Sequence, residues 1–517
     1  VKNMARTPRN PVTPAYALPG LRATAKDRAH PYSIVNPGAK AGDDWSVKDI
    51  CAAYDWPDPK QVSGGGKIAL IHLAGGWLQT DVNKFFADQG LPGKAPTPTD
   101  RSLDPEVTNS NLKTPNEADA EVALDIQLAG AAYAVATNKP ATIVVYWTRD
   151  LTAGLVAATA DNCDVCCITW GADEQTWGRA AADAFNAAAK AAVDSGMIII
   201  AASGDNDSSD GGPTPSNVDF PASSPYVIGC GGTSLPKPPK SADGQKAADK
   251  KLRDEKVWND DPGDPDGNGT GGGFSEFFPI PHWQLGTMQA TMRMVPDVAA
   301  HADPASGYRI VVGSQSHVVG GTSAAAALYA GLFAAFGPRR GFILPELYKN
   351  QVCFNDIQSG DNGLFRALVG PDACTGLGSL RAALLAKRIG SDATTMVRLW
   401  KKLEEVEQKN FSLSPAVSIP GLRPRLVSAP AAADPRSIVY SVLGNIGPGA
   451  DPVQTDARPL SDWGYNDRPS SEVLADSLDG QIQSFPGLSN VRVDPNKVFY
   501  CKNVGALIAL VRQTISP

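Results

Sequence analysis

The 517-residue chain is 42% hydrophobic and 20% charged, long enough for two or three domains and apolar enough for a large core. A formal charge of -7 gives nucleic acid and anionic membranes no electrostatic reason to bind, and no run reaches the ~18 apolar residues of a membrane span. Eight cysteines are few for this length. Cys163, Cys166 and Cys167 crowd one segment, which suits a disulfide framework poorly, and no second Cys/His pair accompanies them to make zinc spacing.

Residues 1–45 are rich in Pro, Ala and polar residues and read as an irregular arm. Val1–His30 lacks the apolar core of a signal peptide, so the chain is expected to be a processed form or one never exported. Val47–Tyr54 reads as a short helix. Lys67-Ile-Ala-Leu-Ile-His-Leu73 reads as a buried strand ending at Gly75-Gly76, and Thr80–Gln89 has helical spacing. Residues 91–116 form a Pro- and Asp-rich loop.

Glu117–Ala134 carries a helical apolar stripe through Leu124, Leu128 and Ala131. Glu121 and Asp125 are four apart, so their carboxylates stack on one side. That pair is either a solvated acidic face or two carboxyls sharing a proton. Thr142–Trp147, Val165–Trp170 and Met197–Ser203 read as further strands, with a helix over Thr176–Ser195. Strands alternating with helices imply a mostly parallel sheet covered on both faces. Function in such sheets gathers beyond the carboxyl ends of the strands, where Gly75, Gly171 and Gly204-Asp205 stand.

Tyr226–Cys230 reads as one more strand, followed by a polar insertion over 235–272. Tyr308–Val312 is strand-like. Gly320-Gly321-Thr322-Ser323-Ala324 then turns into an Ala-rich buried helix. A helix start offers unpaired N–H groups and partial positive charge, which favour the oxyanion formed when a serine attacks a carbonyl. Equally, a Ser or Thr there can serve as an N-cap. Asn355-Asp356-Ile357 and Gly370-Pro371-Asp372 bracket a Gly/Asp loop without EF-hand spacing. Its carboxylates and carbonyls suit a hard cation such as Ca²⁺. Residues 380–410 end in an amphipathic helix, 412–435 are Pro- and Ala-rich, and 436–517 read as a small helical module.

A Ser–His–Asp site needs a histidine, and none of the five fits. His72 lies inside a strand pattern, and His317 is six residues before Ser323 on the same entry segment. A carboxylate is the better base for Ser323.

Taken together, Gly320-Gly-Thr-Ser-Ala324, Glu121-Val-Ala-Leu-Asp125 and Ala202-Ser-Gly-Asp205 resemble the motifs of the sedolisins, serine-carboxyl peptidases with a subtilisin-like fold. Flanking runs such as Thr169-Trp170-Gly171, Val218-Asp-Phe-Pro221 and Cys374-Thr-Gly-Leu-Gly378 agree, and the resemblance covers about residues 45–390. It implies an α/β fold, a subtilisin-like parallel sheet with helices on both faces. It implies a peptidase domain over 46–395, a helix and linker over 396–435, and the small module over 436–517.

In the roles it implies, Ser323 is the nucleophile, Glu121 the general base, Asp125 its partner, and Asp205 the oxyanion donor. Asp205 can donate only while protonated, so an acidic optimum is expected. Asp219 is implied to bind substrate, a polypeptide. One structural calcium is implied at Asp356, Asp372 and the carbonyls of Ile357, Leu368 and Gly370. Where the family commonly has a Glu linked to the catalytic Glu through a Trp, this chain has His72, with Trp170 in its expected place. A cationic His72 is expected to stabilise ionised Glu121, or else the proton network is broken and activity weak. The family's long propeptide is expected to have been removed or never made in this member, and the resemblance implies export.

The 436–517 module resembles an acyl-carrier protein with Asp467 where the carrier serine belongs. It is expected to dock a protein partner. The alternative for the whole chain is a catalytically weak or inactive interaction protein that kept the fold.

Overall fold

Lys67–His72 is buried at every position after its first, as a strand covered on both faces must be. We label it β1. The computed structural model describes residues 30–31, 34–35, 44–113, 117–236, 254–265, 267–284 and 290–389, all within one unit. The expected linker over 396–435 and the module over 436–517 lie outside the described residues.

Beside β1 the sheet takes up β2 (Thr99–Ser102), β3 (Thr142–Trp147), β4 (Val165–Ile168), β5 (Ile198–Ala202), β6 (Ile228–Ser234), β7 (Val298–His301) and β8 (Ser379–Leu380). Their order across the sheet is β8-β7-β6-β5-β4-β1-β3-β2, parallel throughout. The order reverses around β1, and such a switch point leaves a crevice at the carboxyl ends of the strands.

Alternation along β1 sorts the two faces. Ile68 and Leu70 join the core beneath α1 (Glu117–Thr137), whereas Ala69 and Ile71 join the one beneath α2 (Leu151–Ala160) and α3 (Arg179–Asp194). Beside α1 lies α4 (Thr322–Ala335), buried along its whole length. Small residues let the two helices approach closely. A Cβ on Gly331 would overlap the Ala129 carbonyl oxygen and stand 2.8 Å from Ala132 Cβ. Among the described residues, no helix is long and apolar enough to cross a membrane. The seven described cysteines are buried free thiols.

The structure corrects four expectations. The loop expected over 91–116 contains the strand β2. Val165–Trp170 is two strands: the chain leaves the main sheet after Ile168, and Trp170–Asp173 pairs antiparallel with Asp219–Phe220. The helix expected over Thr176–Ser195 is broken at Gly178 into Glu174–Trp177 and α3. Part of the N-terminal arm is extended and paired, His30–Pro31 with Trp170–Gly171 and Ile34–Val35 with Val319–Gly320.

Candidate active site

The strand Gln315–Gly320 delivers the chain to α4 through Gly321, whose φ of 103 lies in the region that favours glycine. Gly321 occupies the N-cap position and no side chain caps the helix. Ser323 is therefore a first-turn residue and not the cap. Its Oγ–H donates to Glu121 Oε1 at 2.5 Å.

Glu121 and Asp125 are wholly buried on α1, so the solvated-face reading of this pair is excluded. Burial raises the Asp125 carboxyl well above its usual range, and the charge of Glu121 adds to the rise. Two buried carboxyls acting on each other cannot both ionise cheaply. Asp125 therefore holds its proton to a higher pH than a free aspartate, and Glu121 Oε1 accepts from Ser323. Thr169 Oγ donates to Asp125 Oδ2 at 2.7 Å.

His72, at the carboxyl end of β1, stands on the far side of Asp125. Its Nε2 is 3.3 Å from Asp125 Oδ2, and its Nδ1 accepts the Trp170 indole N–H at 3.2 Å. Burial lowers its pKa to about 3. The expected cationic histidine stabilising Glu121 is thereby corrected: the ring is neutral and meets Asp125. Trp170 lies behind the histidine and does not link it to Glu121.

Asp205 follows β5. Thr322 donates to its Oδ1 twice, from the backbone N–H at 2.8 Å and from Oγ1 at 2.7 Å. Oδ2 is buried without a hydrogen-bond partner. Desolvation outweighs the two Thr322 bonds and pushes the carboxyl up to about 8. A protonated Oδ2 here is a hydrogen-bond donor with nothing yet to bond. Sequence reasoning missed Thr169 and Thr322, whose hydroxyls set these two carboxyls. Thr322 is legible only as part of the Ser323 motif.

Asp219 is wholly buried in its short strand, paired in register with Asp173. Its charge and that of Asp173 raise the buried Asp210 carboxyl, after burial itself. On the Gly/Asp loop, Asp356 Oδ2 accepts from Gly370 N–H at 3.0 Å, and Asp372 Oδ2 from Leu368 N–H at 3.0 Å. Asp372 Oδ1 accepts from Cys374 and Thr375. Both carboxylates thus converge on the N–H groups of the 368–370 backbone, and carboxylates of this kind are ligands a hard cation accepts. Among the described residues, no three His, Cys, Asp or Glu side chains form a ready metal cluster.

The subtilase family describes residues 126–337. Kumamolisin of Bacillus sp. (strain MN-32) is 37% identical over 359 residues, 64% of this chain and 61% of kumamolisin. The chain is similar to members of the sedolisin family over this stretch. Xanthomonalisin of Xanthomonas sp. (strain T-22) is 29% identical, over 68% of this chain and 48% of its own length. The chain therefore spans about half to three fifths of the length of these curated relatives. A solved structure of Pseudomonas sedolisin, a serine-carboxyl proteinase complexed with two molecules of pseudo-iodotyrostatin, superposes with a TM-score of 0.55. It is 23% identical, and the match covers 68% of this chain and 100% of sedolisin. That likeness shows the subtilisin-like fold.

Proposed function

We propose that this chain is a serine-carboxyl peptidase, hydrolysing peptide bonds of polypeptide substrates through an acyl-enzyme on Ser323. The observation that carries the reading is the 2.5 Å hydrogen bond from Ser323 Oγ to Glu121 Oε1. A hydroxyl so placed can give up its proton as Oγ attacks a carbonyl carbon. Glu121 takes that proton and hands it to the leaving amine. Water then attacks the acyl-enzyme with the same base. Asp125 stays protonated and orients Glu121.

The tetrahedral intermediate needs a donor for its oxyanion. Asp205 supports this role because Thr322 fixes one of its oxygens and the other is uncommitted. A single such donor is worth about 10²–10³ in turnover. Asp219 is read as a substrate-binding carboxylate. Asp356, Asp372 and the carbonyls of Ile357, Leu368 and Gly370 would hold a calcium ion that braces their loop and takes no part in proton transfer.

The test is cleavage of a denatured protein at acidic and neutral pH, beside Ser323→Ala. Cleavage by the parent chain, loss of at least about 10⁴-fold in the variant, and a trapped acyl adduct on Ser323 are expected. Equal cleavage by both chains, or none by either, overturns the reading in favour of a non-catalytic interaction protein.

A further inference from the structure

The strand that delivers Ser323 is one half of a hairpin, Tyr308–Val312 paired antiparallel with Gln315–Gly320. Val312 faces Gln315 across the turn at Gly313 and Ser314. Val311, opposite Ser316, therefore points its N–H and C=O away from the partner strand. Backbone groups on such an outer edge need other partners. Here side chains supply them. Asp81 accepts from Gly313 N–H at 2.7 Å and from Ser314 N–H at 2.9 Å. Gln89 Nε2 donates to the Arg309 carbonyl at 3.0 Å.

The third side chain is Gln127, used by nothing described so far. It is wholly buried on α1, less than two turns beyond Glu121. Its Oε1 accepts from Val311 N–H at 2.9 Å, and its Nε2 donates to the Val311 carbonyl at 2.7 Å. One amide thus takes the place of a neighbouring strand and satisfies both backbone groups of a single residue. Asp81 and Gln89 grip the hairpin from the helix Gln79–Asp88 and its end. Of the three, only Gln127 grips it from the helix that carries the base. Beyond Val311 the chain turns, runs back through Gly320 and enters α4 at Ser323. The Ser323–Glu121 bond therefore joins two elements that Gln127 also joins, through Val311.

We propose that Gln127 is a positioning residue for Ser323, registering the hairpin that delivers the nucleophile against the helix that carries Glu121. The inference rests on the peptidase reading above. Gln127 acts at a distance, because a nucleophile displaced by about 1 Å can lose about 10²-fold in rate. An amide that served stability alone would change Tm and leave kcat per folded chain, and its pH profile, where they are.

The test is steady-state cleavage of a peptide by the full chain, Gln127→Leu and Gln127→Glu, with circular dichroism to give rates per folded chain. Gln127→Leu keeps a similar volume and loses both bonds. It is expected to lower kcat about 10–10²-fold with KM changed less than about twofold. Gln127→Glu adds a titration. A protonated carboxyl has one donor and one acceptor and reproduces both bonds, whereas an ionised one only accepts and repels the Val311 carbonyl. Its kcat relative to the parent is expected to be within about twofold at pH 4 and to fall about tenfold or more by pH 9. If Gln127→Leu does not fold, Gln127→Glu decides. With the parent active, an unchanged kcat in Gln127→Leu, or a Gln127→Glu profile that follows the parent throughout, overturns this inference alone. No cleavage by the parent overturns the peptidase reading and this inference with it.

Discussion

The Trp170 indole N–H donates to His72 Nδ1, which fixes the imidazole proton on Nε2, facing Asp125 Oδ2. An indole nitrogen can only donate, so Nδ1 must accept. A second proton on the ring would break this bond and charge a wholly buried group, in keeping with a pKa lowered to about 3. His72 is thus a neutral ring whose Nε2 stands 3.3 Å from Asp125 Oδ2 without a hydrogen bond to it. His72→Gln keeps an N–H donor and is expected to leave the pH–rate profile in place. His72→Glu sets a third carboxyl against the Glu121–Asp125 pair and is expected to move the acid limb by about one pH unit or more. Profiles of kcat against pH for the two variants check this, and a His72→Glu profile identical to the parent removes His72 from the proton network.

Asp205 sets the other limb. It donates to an oxyanion only when protonated, and burial holds its pKa at about 8. Turnover is therefore expected to survive from acid into neutral pH and to fall about tenfold per unit above 8, measured in EDTA. The acidic optimum expected of a free aspartate would have placed that fall several units lower. Asp205→Asn keeps an N–H donor and cannot ionise. It is expected to lose this limb while retaining more activity than Asp205→Ala, which should fall by about 10²–10³.

Stability should follow the same sign. Burial raises the carboxyls of Asp125, Asp205 and Asp210 above their ordinary values. Each therefore binds its proton more tightly folded than unfolded. Its contribution is complete below the unfolded pKa of about 3.9 and is lost as pH rises through the folded value, about 8 for Asp205. Thermal unfolding in EDTA is expected to show Tm falling from pH 4 to pH 8. A Tm that rises over this interval would contradict the burial of these groups.

The contact between α1 and α4 aligns Glu121 with Ser323, and Gly331 sits in it. Gly331→Ala gains about 1 kcal/mol of helix propensity, but the new Cβ meets the Ala129 carbonyl, which is backbone and cannot swing away. The helices must part, at a cost of about 1–3 kcal/mol, and sterics win. A lowered Tm together with a lowered kcat is expected, because the same displacement lengthens the Ser323–Glu121 bond.

The α/β layering was legible because β1 and β3 read as unbroken apolar runs, and Glu121, Asp125, Asp205 and Ser323 lie in short ordered motifs. Periodicity could not show that the chain leaves the main sheet after Ile168, since Trp170–Asp173 is as buried as the strand before it. Nor could it show how His72 is used. A histidine inside a strand pattern has the same spelling whether it is a cation or a neutral ring, and only its burial between Trp170 and Asp125 decides.

The arm residues bear on substrate entry. His30–Pro31 pairs antiparallel with Trp170–Gly171, and Ile34–Val35 with Val319–Gly320, three residues before Ser323. The backbone edges on both flanks of the site are therefore already taken by the chain's own segment. An extended polypeptide binding by strand addition needs such an edge free, so it must displace 30–35 before reaching Ser323. A chain beginning at residue 36 is expected to show a lower KM for a peptide substrate with kcat little changed. A synthetic peptide spanning residues 28–37 added back is expected to inhibit it competitively. Steady-state kinetics on the two chains measure both effects. An unchanged KM together with no inhibition would mean that substrate approaches Ser323 along a different edge.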